Sequence, residues 1–230
     1  MEESAQRWLF ALSAPMAALN GASYTAAEYY EGEDQSDLKR WWGISNRAQL
    51  LDMLGMADTG HATEVSEAYW QYQRCLPSQW QALLDGLSPR ERIRHEFAAR
   101  TFPDCGPGGT RAWDLGRMSF LLRAGVKNDL VSRDESLYLH YRLALRARHY
   151  YNRWDTYLAG YLFGKALWNV SDSSDETFAA NLERQGSEHW NRCILLNLRH
   201  GAHELLAGLP WDLQLPEPER PITLEEDCWS

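Results

Sequence analysis

The chain has 230 residues, 44% of them hydrophobic and 24% charged, which suffices for one domain with a full core and excludes global disorder. Thirty-two acidic against twenty-three basic residues leave a formal charge of −9, which opposes a nonspecific grip on nucleic-acid phosphates or anionic lipid. The same charge would steer a basic protein partner toward the surface.

No apolar run reaches the roughly 18 residues of a membrane span, and with the acidic balance neither a membrane nor nucleic acid is an expected partner. The four cysteines, Cys75, Cys105, Cys193 and Cys228, form no paired motif and read as reduced thiols, which makes a cytoplasmic protein the expectation. Eleven Trp, eleven Tyr and six Phe point to a well-filled core or an aromatic binding surface.

In chain order, the apolar residues of Glu3 to Leu19 predict a first helix ending at Asn20-Gly21. It resembles a signal segment only at a glance, because Glu2 and Glu3 outweigh Arg7 and Pro15 interrupts it. A Tyr-rich loop over 22–36 precedes a short helix at Asp37 to Trp42, and Asn46 to Gln49 is a capping pattern for the next. Val65, Tyr69, Tyr72 and Leu76 recur at helical spacing. A short helix around Trp80 to Leu84 follows, and Ser88-Pro89 with Glu91 opens another that is expected to end at Phe102-Pro103. After a breaker run to Gly109, read as a linker, Thr110 is the expected cap of a central helix with Leu115, Met118, Leu121 and Leu122 facing a core. Ser132 to Glu135 caps a further helix, 152–168 forms the next, and one long helix is expected from 174 to about 206. No stretch alternates with period two.

The expected fold is therefore all-α: one compact domain of about eight to ten helices over 1–209, followed by an extended, acidic, Pro-rich tail over 210–230.

Several blocks stand out together: Trp42-Gly43-Ile44 with Asn46-Arg47 and Leu50-Leu51, Gly60-His61, Ala112-Trp113-Asp114-Leu115-Gly116-Arg117, and Trp154 to Tyr157 with Gly160-Tyr161, Gly164 and Trp168. In this order and spacing they resemble the bacterial family called domain of unknown function 1266. The likeness covers about 40–170, with Pro210-Trp211 closing it, and departs from the pattern at Lys165, where an arginine is expected. It implies a bacterial, mostly helical, soluble protein and carries no catalytic role over. Secreted toxins or co-chaperones are the associates it suggests.

Asp114 and Arg117, three residues apart on the central helix, form either a structural ion pair or a functional site. Lys165 falls within the aromatic stripe Trp154, Leu158, Tyr161, Trp168, where it would snorkel to solvent or join Arg117 and His61 around an anion. Gly160 and Gly164 would let a neighbouring helix approach closely. The candidate aromatic cluster is Trp42, Trp113, Trp154, Tyr157, Tyr161 and Trp168. His189 with Cys193, or His200 with His203 and Glu204, could supply part of a metal site. No metal motif completes either set, so no metal or other cofactor is expected.

The leading expectation is a non-enzymatic protein-interaction module, an inhibitor or adaptor of a secreted toxin. The competing one is an enzyme or anion-binding domain built on Asp114, Arg117 and Lys165, with His61 as acid or base.

Overall fold

The computed structural model describes residues 1–32, 36–186, 189–200 and 205–225, and within them the chain is helical with no strand. Thirteen α-helical segments follow one another: α1 (Glu3–Ala11), α2 (Ala14–Asn20), α3 (Leu38–Trp42), α4 (Arg47–Met53), α5 (Met56–Thr59), α6 (Thr63–Arg74), α7 (Pro77–Asp85), α8 (Pro89–Cys105), α9 (Arg111–Lys127), α10 (Arg133–Tyr150), α11 (Trp154–Asn169), α12 (Asp175–Gly186) and α13 (His189–His200). Short 3-10 turns lie at Gly106–Gly108 and Leu205–Gly208.

There are more segments than the expected eight to ten partly because the first helix is split. Pro15, at the start of α2, has no N–H to bond back, and the chain tightens over Leu12 and Ser13 before restarting. Conversely, α8 runs through Pro103 to Cys105, since a proline in the last turn removes only one helical bond. The expected long helix from 174 is described as α12 and α13, and the residues joining them lie outside the described range.

Local signals hold where side chains make them. Ser88 and Ser132 each accept a backbone N–H from Glu91 and Glu135, which return a bond to the serine amide. Thr110 does not cap α9: its hydroxyl makes no cap bond, and the Tyr151 hydroxyl accepts the Ala112 N–H instead. The Gly106–Gly109 stretch is also no loose linker. Gly109 has φ +54°, and a Cβ there would stand 2.6 Å from the Tyr69 ring.

The main core is built around α9, which is buried on nearly every side between α10 and α11, with α5, α2 and α4 completing its cover. Its contact with α11 is close at Gly164, where a Cβ would be 2.4 Å from that of Trp113, and Gly160 lets α11 approach the turn before α9, where a Cβ would be 2.5 Å from the Gly109 carbonyl. A smaller core joins α6, α8, α11 and α12 through Tyr69, Phe97, Leu167 and Phe178. Residues 210–225 lack regular structure apart from turns, yet they are docked. The indole of Trp211 donates to the Tyr151 carbonyl, and Arg148 donates to the carbonyls of Trp211 and Leu213.

The tryptophan, aspartate and arginine face of α9

Asp114 sits in the first turn of α9 with 1% of its surface exposed. Its Oδ2 accepts the Ala62 N–H at 2.8 Å, so the carboxylate caps the start of α6 from across the fold. Gly60 makes this approach possible, because a Cβ there would lie 2.5 Å from the Asp114 Cγ and 2.4 Å from the Met56 carbonyl. Burial pushes the carboxyl above its ordinary range; the Ala62 N–H, His61 and the Arg117 charge pull partly in the other direction.

Arg117 lies one turn further along. Its Nη1 is 3.9 Å from the Asp114 Oδ1, too far for a hydrogen bond, and both atoms are buried without a hydrogen-bond partner. The guanidinium lies instead among rings: 4.5 Å from the centroid of Trp42, 5.3 Å from Trp113 and 5.9 Å from Trp168. Its side chain is 12% exposed, and burial lowers its pKa against the opposing pull of Asp114. Trp168 is 43% exposed, so the cluster reaches the surface there.

Of the residues singled out by sequence, Trp42, Trp113, Tyr161, Trp168, Asp114, Arg117 and His61 come together here. Trp113 packs 5.1 Å from Tyr161 and 5.5 Å from Trp168, and His61 acts on Asp114 through its charge. Lys165 is half-buried one turn before Trp168 on α11. Trp154 and Tyr157 belong elsewhere. They pack with Trp8 and Trp211, Trp154 lying 5.0 Å from Trp8 and 4.7 Å from Trp211, where they dock the C-terminal segment. The considered metal ligands His203 and Glu204, and the side chains of His189 and Cys193, lie outside the described residues.

Four polar atoms, one on Thr110 just before α9 and three on α9, keep unused bonding capacity while shielded from water: Thr110 Oγ1, Trp113 Nε1, Asp114 Oδ1 and Arg117 Nη1. They fall at i, i+3, i+4 and i+7, one stripe running from the N-cap into α9. A buried polar group without a partner costs about 1–3 kcal/mol, so stability alone gives no reason to line up four of them.

Three buried polar arrangements carry no sequence signal beyond residue type. Arg123 is fully buried and donates to Ser13 Oγ and to the carbonyls of Ala26, Ser23 and Glu28, fastening the loop over 22–31. His140 is fully buried between Ser119 and Ser136, where desolvation brings its pKa down to about 3. Arg47 grips Glu135 with two hydrogen bonds of 2.8 and 2.7 Å, and Thr223 donates to the same carboxylate. Each is visible only once distant helices meet.

The family model described as protein of unknown function (DUF1266) matches residues 37–211. The chain belongs to this family. The DUF1266 match begins at Asp37, the N-cap of α3, and ends at Trp211, the ring docked on Trp8 and Trp154. Two Escherichia coli (strain K12) proteins are similar to it. The uncharacterized protein YbeU is 36% identical over 233 residues, covering 98% of both chains. The uncharacterized protein YbeR is 40% identical over 172 residues, covering 73% of both. No solved structure matches significantly. No helix among the described residues is long and apolar enough to cross a membrane.

Proposed function

We propose that this DUF1266 protein is a non-enzymatic, cytoplasmic interaction module that docks a protein partner on the surface where Trp168 and Trp42 cover Arg117. One observation carries this reading: a guanidinium held among three indoles, with the outermost, Trp168, 43% exposed. Trp and Arg dominate the energetics of protein interfaces, and rigid rings packed from behind cost little entropy when a partner covers them. The competing reading, a catalytic or anion site on Asp114, Arg117 and Lys165, draws support from the unpartnered Asp114 Oδ1 and Arg117 Nη1. Against it, the other oxygen of Asp114 is committed to the start of α6, and the guanidinium is covered by rings.

The partner is basic. A charge of −9 attracts it at long range, and Trp168, 43% exposed, offers ring surface for its Lys or Arg side chains to pack on. A secreted toxin held inactive or delivered by this protein has the required character. Affinity capture from a lysate of the host cell, at low and high salt, compares the wild type with Trp168→Ala. A near-stoichiometric basic partner, weakened by salt and lost with the variant, is expected. Equal capture by both proteins, or no partner at either salt, would overturn the proposal.

A further inference from the structure

The C-terminal chain is pinned at two points, with a proline-rich stretch held between them. One anchor is Trp211, whose indole donates to the Tyr151 carbonyl while Arg148 donates to the carbonyls of Trp211 and Leu213. The other is Thr223, whose hydroxyl donates to Glu135 and whose carbonyl accepts from Arg47, followed by Leu224 at 5% exposure.

Between the anchors runs Leu215-Pro216-Glu217-Pro218-Glu219-Arg220-Pro221-Ile222. Proline fixes its own φ and keeps the residue before it extended, so all but Glu219 and Ile222 are confined to polyproline II or extended backbone. Exposure along the stretch repeats every three residues, the period of a polyproline II helix. Leu215, Pro218 and Pro221 are half-buried, while Pro216, Glu219 and Ile222 are exposed, Ile222 wholly so. No backbone group from Leu215 to Arg220 bonds to other backbone among the described residues. The result is a fixed ridge with a free outer edge.

A ridge held in this shape loses little entropy when a partner covers it. Proline and isoleucine on a polyproline II edge fit between flat rings, which is how aromatic-lined grooves take such segments. The charge of the ridge is one-sided. Glu217 and Glu219 are exposed and make no ion pair among the described residues. Arg220 instead turns back, its guanidinium 5.9 Å from the centroid of Tyr138. A complementary groove therefore carries Lys or Arg on its rim.

We infer that residues 215–222 form a preset ridge that docks in an aromatic-lined, basic-rimmed groove of a partner protein. This docking does not depend on the Trp168 surface. A benzoylphenylalanine photo-crosslinker in place of Ile222, in the full chain in the host cell, marks what covers the ridge. The marked protein, once purified, is titrated calorimetrically with the wild type, Pro216→Ala, Glu219→Lys, Ile222→Asp and Trp168→Ala. One marked protein is expected, bound about tenfold more weakly by Ile222→Asp and Glu219→Lys and about threefold more weakly by Pro216→Ala. The three ridge variants melt with the wild type, because the side chains they change are exposed. No marked protein, marking of a second copy of this chain, or affinity unaltered in all three ridge variants would overturn the inference. Binding lost with Trp168→Ala alone would overturn it as well, and would leave the Trp168 surface standing.

Discussion

At Gly60 and Asp114 a side chain is missing on one strand of backbone because a carboxylate on another needs the space. Gly60→Ala places a carbon 2.4 Å from the Met56 carbonyl, so a loss of about 2 kcal/mol is expected in urea denaturation. Asp114→Ala removes the acceptor of the Ala62 N–H and leaves Arg117 without its counter-charge, for a loss of about 3 kcal/mol. Asp114→Asn keeps an acceptor oxygen and should lose less. The Gly60-His61 and Trp113-to-Arg117 blocks were visible in sequence as separate stretches, but their meeting was not. Nothing in spacing alone shows that Asp114 reaches 52 residues back to cap another helix. His140 makes a second test. Its folded pKa, about 3, lies below the roughly 6.5 of an unfolded imidazole, so the unfolded chain binds the extra proton first. Stability is lost as pH falls from about 6.5 toward 3, by up to about 1.4 kcal/mol per unit. His140→Asn should flatten that slope in denaturation series at pH 7, 5.5 and 4.5.

Among the elements, periodicity and caps foretold the helices well, because their causes are local. The departures have causes that are not: Pro15 divides the first helix, and Tyr151 takes over the capping work assigned to Thr110. The aromatic stripe on α11 looked continuous in sequence, yet its two ends serve different neighbours. Trp168 meets Trp113 and Arg117, while Trp154 meets Trp8 and Trp211. Docking of the C-terminal segment rests partly on Glu135, which is 3% exposed. Burial raises its carboxyl, but hydrogen bonds from Arg47, Thr223 and the Ser132 amide, with the Arg47 charge, outweigh that and bring it down to about 2. A depressed carboxylate stabilises above its unfolded pKa of about 4.3, and that contribution is lost as pH falls toward 2. Glu135→Gln should remove on the order of 3 kcal/mol at pH 7 and abolish that stretch of the acid transition. Limited proteolysis at pH 7 should also cut its C-terminal segment sooner than the wild type's.

For the whole molecule, composition and charge bear on the proposed class of partner, and folding on where the proposal seats it. The all-α architecture follows from the pattern of apolar residues, whereas the exposed Trp168 beside a covered Arg117 depends on how α3, α9 and α11 pack. On the proposed reading, stability and docking divide along α9: Asp114 turns inward to α6, and Arg117 turns toward the rings. Melting temperature and partner capture measured side by side for Asp114→Ala and Trp168→Ala separate the two most directly. The first variant should melt well below the wild type. The second should melt within a few degrees of it and capture no partner. A Trp168→Ala protein that captures the wild-type partner in full, or an Asp114→Ala protein as stable as the wild type, would contradict this division of labour.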